Sequence, residues 1–173
     1  MMDVTVRLVD LSGMHPRLLW DTIITATAAV LTGLQASPPF RFPLTILDVP
    51  GFGDGELLLL LDPADVLDDR LVRVRRTYEP PRLIELAAIA IAAIGLHHAG
   101  GHEILDLAVR GSAADYLVDE SRHHLEIAGR SRRSDFEVAW QQKWRRLEET
   151  QEGGCYVCVV EFESPAGRLA FAD

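Results

Sequence analysis

The chain has 173 residues, of which 48% are hydrophobic, and its formal net charge is −9 at pH 7. This length suits one compact domain with a full core and is too short for two comfortable ones. The negative charge argues against a protein that coats nucleic acid non-specifically, because such proteins need a broad basic surface.

The N-terminal sequence has no basic segment followed by an apolar stretch, and it has no cleavage signature. We therefore predict a cytoplasmic protein without a secretory signal. The longest apolar run, residues 83–96, is short for a bilayer span and contains Glu85. It is predicted to be a core helix, so no membrane partner is expected.

Residues 1–80 are predicted to form an N-terminal α/β extension that enlarges or flanks the main sheet. Alternating apolar and polar residues indicate strands, while proline and glycine positions indicate where helices begin and end. The predicted elements are a strand over 4–11, a helix from His15-Pro16 to Leu31 or Leu34, strands over 44–49 and 56–61, a short helical piece over 63–69 and an edge strand over 71–78.

Residues 81–173 form the second predicted part of the chain, which begins at the Pro80-Pro81 pair. This pair is the one plausible boundary between two parts of the chain. Here the pattern predicts helix, three strands, helix and two strands. The predicted ranges are 82–98 for the first helix, 103–109, 115–118 and 124–128 for the three strands, 136–149 for the second helix, and 155–162 and 168–171 for the last strands. The fold class predicted is α/β, with a mixed sheet flanked by helices.

Two carboxylates carry the main chemical prediction. Asp115 opens the second strand of the group of three, and Glu126 lies inside the third. Neighbouring strands can hold both side chains at one edge of a sheet, close enough to share a divalent metal. The sequence therefore predicts a two-carboxylate site at that edge.

This order of elements and acids resembles the PD-(D/E)xK nuclease superfamily, whose core is the restriction-endonuclease-like fold. The resemblance covers roughly residues 82–162. It implies that Asp115 and Glu126 bind Mg²⁺ or Mn²⁺, which would activate water and neutralise charge on a phosphate. Ala114 stands where the motif has proline, and Ala128 stands where it has lysine.

The same resemblance suggests three residues that could complete the site. Arg130 shares a strand face with Glu126 if the strand continues past Gly129. Lys143 lies on the following helix, from which some members of the superfamily look as though they draw their lysine. Either cation would stabilise the developing phosphate charge. Glu85 falls where some relatives carry an additional acid, and it would hold a metal-bound water.

The predicted function is a metal-dependent nuclease acting on DNA or RNA, with an active or a degenerate site. The alternative is a non-catalytic scaffold or interaction subunit of a bacterial complex that keeps the fold, which Ala128 in the lysine position favours. A third interpretation treats both acids as solvated edge residues without a metal. A homodimer through apolar edges is compatible with either function. A nuclease should place the Lys143 amine within a few ångströms of both carboxylates.

Three further patterns are predicted to be structural. Cys155 and Cys158 form a CxxC in a strand, where residues three apart face opposite sides, so the thiols should not converge. Residues 46–56 resemble a phosphate-sensing GTPase segment, but the chain has no GxxxxGK[ST] loop, and we predict a glycine-rich hairpin. An apolar stripe on the second of these helices is predicted to pack on the sheet: Phe136, Trp140, Trp144 and Leu147.

Overall fold

One mixed sheet organises the chain in the computed structural model, which describes residues 1–35, 37–108, 115–150 and 154–173. The strands are β1 (Met2–Arg7), β2 (Phe40–Val49), β3 (Gly53–Asp62), β4 (Ile104–Leu107), β5 (Tyr116–Val118), β6 (His123–Arg130), β7 (Cys155–Glu161) and β8 (Ala166–Ala172). The helices are α1 (Leu11–Met14), α2 (Asp21–Leu34), α3 (Asp68–Thr77), α4 (Pro80–Gly100) and α5 (Phe136–Thr150). The predicted α/β class is confirmed.

The sheet runs without a break from the N-terminal to the C-terminal half of the chain. Its strand order is β1-β3-β2-β8-β7-β6-β5-β4. Strand β2 pairs in parallel with β8, with Leu44 opposite Gly167. Strands β4, β5 and β6 form an antiparallel meander, and α5 then carries the chain to β7, which lies parallel to β6. Residues on both sides of Pro80 therefore share one sheet.

Helices α4 and α5 cover opposite faces of the sheet. Ala128 and Gly129 are neighbours on β6, so they face opposite sides. Ala128 packs with Phe136 and Ala139 of α5. A Cβ atom at Gly129 would lie 2.7 Å from the carbonyl oxygen of Ile84 in α4. Glycine is needed there because the helix and the strand approach too closely for any side chain.

Helix α4 is the central helix of the main core. It is apolar nearly all round, and it packs against α2 and the sheet. A Cβ atom at Gly95 would lie 2.6 Å from Leu44 of β2, so the helix also approaches the middle of the sheet closely. By length and composition α4 could cross a membrane, but 67% of its most apolar window is buried within the protein. The prediction of a core helix is confirmed, which is consistent with a soluble domain.

The predicted edge strand over residues 71–78 is wrong, because this segment forms α3. The alternation in Val-Arg-Val-Arg suggested a strand, but the buried residues are Leu71 and Val74, which are three apart. That spacing places both on one helical face, packed toward α2. The short helical piece predicted over residues 63–69 is wrong too, since helix α3 begins only at Asp68.

The predicted helix starting at His15-Pro16 is also wrong at its beginning. Strand β1 ends at Arg7, a short 3-10 turn and α1 follow, and α2 begins only at Asp21. The side chain of His15 is bound between Ala93 and Ile104, and the Trp20 indole donates a hydrogen bond to the His15 carbonyl. These tertiary contacts fix the chain as a loop before the helix.

The remaining elements are found where the sequence predicts them, with shifted ends. Strand β2 begins at Phe40 rather than Leu44, although it contains Pro43. Proline is tolerated because the pairing of β2 with β8 starts only at Leu44. The end of the strand predicted over residues 103–109 and the Ala114 position lie outside the described residues.

Candidate functional site

A polar cavity of about 460 Å³ lies beside β6. Its walls are formed by the N-terminal half of α4, Leu107 of β4, Asp115 and Tyr116 at the start of β5, residues 127–130 of β6 and Lys143 of α5. Its charged lining residues are Arg82, Glu85, Asp115, Arg130 and Lys143. Four of the five residues that the sequence singles out are therefore brought together, and the fifth, Glu126, contacts one of them.

Asp115 is held at the edge of β6 by two hydrogen bonds. Its backbone N–H donates to the Leu125 carbonyl over 2.9 Å, and its Oδ2 accepts the Ile127 N–H over 2.7 Å. The antiparallel register pairs Tyr116 with Leu125, so Asp115 lies one step further, beside Glu126. Strand β5 begins at Tyr116, and Asp115 immediately precedes it. The backbone positions of the two acids are therefore next to each other at this edge, while a shared metal site remains a prediction.

Glu126 is the fully buried acid of the site. Its Oε2 lies 2.9 Å from Lys143 Nζ, and its Oε1 lies 3.8 Å from Arg146 Nε. Among the described residues, neither oxygen accepts a hydrogen bond, although Oε2 is in ion-pair contact with Lys143. Glu126 is therefore neutralised by charge but keeps unused acceptor capacity in a buried position.

Lys143 of α5 places a cation beside Glu126. Ala128 follows Glu126 on the same strand face and is itself buried under α5, packed with Phe136 and Ala139. A lysine there would have to displace this packing. Lys143 instead reaches Glu126 from the helix above, and its side chain is only 20% exposed. Its position also lines the cavity that Asp115 enters.

Arg130 and Glu85 reach the cavity but are engaged with near neighbours. Strand β6 continues through Arg130, whose guanidinium donates to the Gly129 carbonyl over 2.8 Å. Glu85 accepts a hydrogen bond from Arg82 over 2.8 Å, one turn earlier on α4. The Arg82 and Glu85 side chains both remain more than half exposed in this surface pair. Either of these two side chains could turn toward a ligand at little cost in free energy.

Sequence reasoning missed Arg82 and Tyr116 in the cavity lining. Burial raises the pKa of the Tyr116 phenol, and the nearby Asp115 charge raises it further against the opposing effect of Arg82. The phenol therefore stays protonated and can act as a hydrogen-bond donor. The Arg82 to Glu85 spacing of three residues on a helix was the signal that could have found Arg82.

The CxxC cysteines lie on β7, the strand next to β6, with Cys158 opposite Ile127. Both are buried in β7 and neither is in a disulfide, and burial raises the pKa of Cys158 to about 12. A protonated buried thiol is a poor nucleophile and a poor metal ligand. The apolar stripe of α5 packs on the sheet as predicted, with Trp140 and Trp144 stacked at 5.5 Å between ring centroids.

Within the described ranges, no group of three or more His, Cys, Asp or Glu side chains is close enough to hold a metal ion. The carboxylates of Asp115 and Glu126 nevertheless suit Mg²⁺ or Mn²⁺, which often use one or two protein carboxylates and complete their shell with water. One Asp115 oxygen accepts the Ile127 N–H, and neither Glu126 oxygen accepts a hydrogen bond from the described residues. Both acids therefore keep acceptor capacity, although Glu126 is buried against Lys143.

Comparison with known proteins adds no relative. The chain matches no protein-family profile, no characterised protein and no solved structure. Any function must therefore be argued from the cavity and its residues.

Proposed function

We propose that the protein is a metal-dependent phosphodiesterase of the nuclease type, acting on a nucleic-acid phosphodiester in the cavity beside β6. One observation carries the proposal. The fully buried Glu126, without a hydrogen bond to either oxygen in the described residues, is paired with Lys143 at 2.9 Å, beside Asp115 at the strand edge. Burying a carboxylate is costly even beside a cation, and acceptor capacity left unused in such a position is a candidate for metal binding.

The order of elements also supports the proposal. Helix α4, the meander β4-β5-β6, helix α5 and strand β7 follow one another as in the PD-(D/E)xK superfamily, which the sequence resembles. Asp115 immediately precedes the second strand of the meander, and Glu126 lies in the third. Mg²⁺ or Mn²⁺ held by Asp115 and Glu126 would supply an activated water and would neutralise phosphate charge.

The other residues of the cavity have roles that follow from their charge. Lys143 and Arg130 place positive charge where a phosphate would carry its developing negative charge, and Arg82 can bind a non-bridging oxygen. The Ile127 N–H orients the Asp115 carboxylate. Arginine stays protonated, so Lys143 is the group in this set that could also move a proton. Glu85 can accept a hydrogen bond from water near the site.

The proposal is tested by hydrolysis of bis(p-nitrophenyl) phosphate and of labelled DNA and RNA oligonucleotides with Mn²⁺ or Mg²⁺. We expect metal-dependent cleavage that EDTA abolishes, and at least a ~100-fold lower rate for Asp115→Asn and for Glu126→Gln. Asp3→Asn, which removes an exposed acid on β1, is the matched control and should cleave at the wild-type rate. No cleavage by the wild type, or full activity in Asp115→Asn, would contradict the proposal.

The second candidate is a non-catalytic scaffold that keeps the fold. It is favoured by one observation, the neutralisation of Glu126 from within the chain by Lys143 and Arg146, which needs no bound ion. In a scaffold, Asp115 would serve only to satisfy the Ile127 N–H at the strand edge. This candidate predicts a folded wild type that neither binds Mn²⁺ nor cleaves any of the substrates above.

A further inference from the structure

Helix α3 concentrates positive charge on an acidic protein. Four of its ten residues are arginine, whereas the whole chain has a net charge of −9. Leu71 and Val74 are its buried residues and anchor it. Positions 70, 73 and 76 are three apart, so these arginines follow one another along the helix, and all three are exposed. We call Arg70, Arg73 and Arg76 the arginine row.

The arginine row is not needed to hold the helix in place. Arg75, which lies outside the row, makes the structural contact by donating to the Ala29 carbonyl and to Thr32 of α2. Arg73 lies 3.4 Å from Asp69 in a highly exposed pair, which contributes little to stability. Arg70 and Arg76 take part in no ion pair with any residue of the described ranges. The row is therefore free to meet an external anion.

Helix α3, which carries the arginine row, ends next to the start of the helix that lines the cavity. Only Tyr78 and Glu79 separate α3 from α4, so the Cα atoms of Thr77 and Pro80 are at most about 10 Å apart. Arg82, in the first turn of α4, already lines the cavity. The acidic residues of α3, Asp68 and Asp69, lie at its other end. Positive charge thus increases along α3 in the direction of the site.

We propose that the arginine row binds the phosphate backbone of a nucleic-acid strand whose reacting phosphate lies in the cavity. This inference rests on the proposed function and adds the substrate surface to it. A row of three charges is narrow, and the rest of the protein is acidic. Such a surface suits a single strand, because a duplex would bring its second phosphate backbone against negative charge.

The test is fluorescence anisotropy with labelled single-stranded DNA, single-stranded RNA and duplex DNA of equal length, in EDTA so that no cleavage occurs. We expect the combined variant Arg70→Gln, Arg73→Gln and Arg76→Gln to bind single strands at least ~10-fold more weakly. Its log-log salt slope should be smaller by about 2, since each phosphate contact on a single strand contributes roughly 0.7. Comparing the affinities for single-stranded DNA and single-stranded RNA shows which backbone the protein prefers.

The matched control removes three exposed arginines elsewhere, with Arg7→Gln, Arg17→Gln and Arg122→Gln in one chain. It has the same net charge as the row variant and should bind as the wild type does. Equal weakening in both variants would overturn the inference, as would a wild type that binds no oligonucleotide or prefers duplex. Hydrolysis of the small ester, which is too short to reach α3, tests the proposed function separately.

Discussion

Replacing Lys143 with methionine should lower the free energy of unfolding by about 3 kcal/mol at neutral pH, because it removes the closest cation from a buried carboxylate. Glu126 Oε2 lies 2.9 Å from the Lys143 amine, and the Glu126 side chain is 1% exposed. Methionine keeps the length and apolar stem of lysine, so the main change is the lost charge. Arg146, at 3.8 Å, is too distant and too exposed to replace it.

Denaturant unfolding of four proteins measures this effect: the wild type, Lys143→Met, Glu126→Gln and the double variant. The double variant should recover much of the stability lost in Lys143→Met, since no uncompensated charge remains. Arg145→Met, on the exposed side of the same helix, is the control and should change stability by less than ~0.5 kcal/mol. A Lys143→Met protein as stable as the wild type would show that the ion pair does not compensate Glu126.

Acidification should destabilise the protein between about pH 6.5 and pH 4 through His15. The buried His15 ring donates from Nε2 to the Ala93 carbonyl and accepts the Ile104 N–H at Nδ1, so it is satisfied as the neutral form. The pKa of His15 is lowered to about 4 from its ordinary value of 6.5, mainly by burial and to a smaller extent by the nearby His97, against the opposing effect of the hydrogen bond to Ala93. The unfolded chain binds this proton first, so stability falls as the pH decreases.

The full decrease in the free energy of unfolding from His15 is about 3 kcal/mol, since each unit of pKa difference between the folded and unfolded states corresponds to roughly 1.4 kcal/mol. Above pH 6.5 the contribution is constant. Unfolding curves at pH 7.5, 6.5, 5.5 and 5.0 should show the loss in the wild type and a smaller one in His15→Gln, which cannot titrate there. His98→Gln is a useful comparison, because burial also lowers the pKa of His98. Parallel pH profiles for wild type and His15→Gln would contradict this account.

Much of the C-terminal half could be predicted from its sequence, because local pattern and tertiary structure agree there. Helix α5 has its apolar stripe on the side that packs on the sheet, and α4 is apolar all round and lies in the core. The placement of Asp115 beside Glu126 followed from short strands joined by short connections. In each case the residues that define the element are neighbours in sequence.

The N-terminal half was harder because distant residues decide its local structure. The loop before α2 exists because His15 binds groups on α4 and β4, which are about half the chain away. The short sequence of α3 fits both the two-residue alternation of a strand and the three-residue spacing of a helix. Packing of Leu71 and Val74 toward α2 makes it a helix. The contact between Lys143 and Glu126 also depends on the angle and position at which α5 crosses β6, and the spacing of residues in the sequence does not determine these.

The most direct test of the central claim is calorimetric titration of Mn²⁺ into the purified protein, beside Asp115→Asn and Glu126→Gln, with Asp3→Asn as the control. It needs neither a substrate nor a partner. The account predicts saturable binding to the wild type and to Asp3→Asn, and its loss in both site variants. A wild type that binds no Mn²⁺, or site variants that bind it as tightly as the wild type, would contradict the proposed metal site.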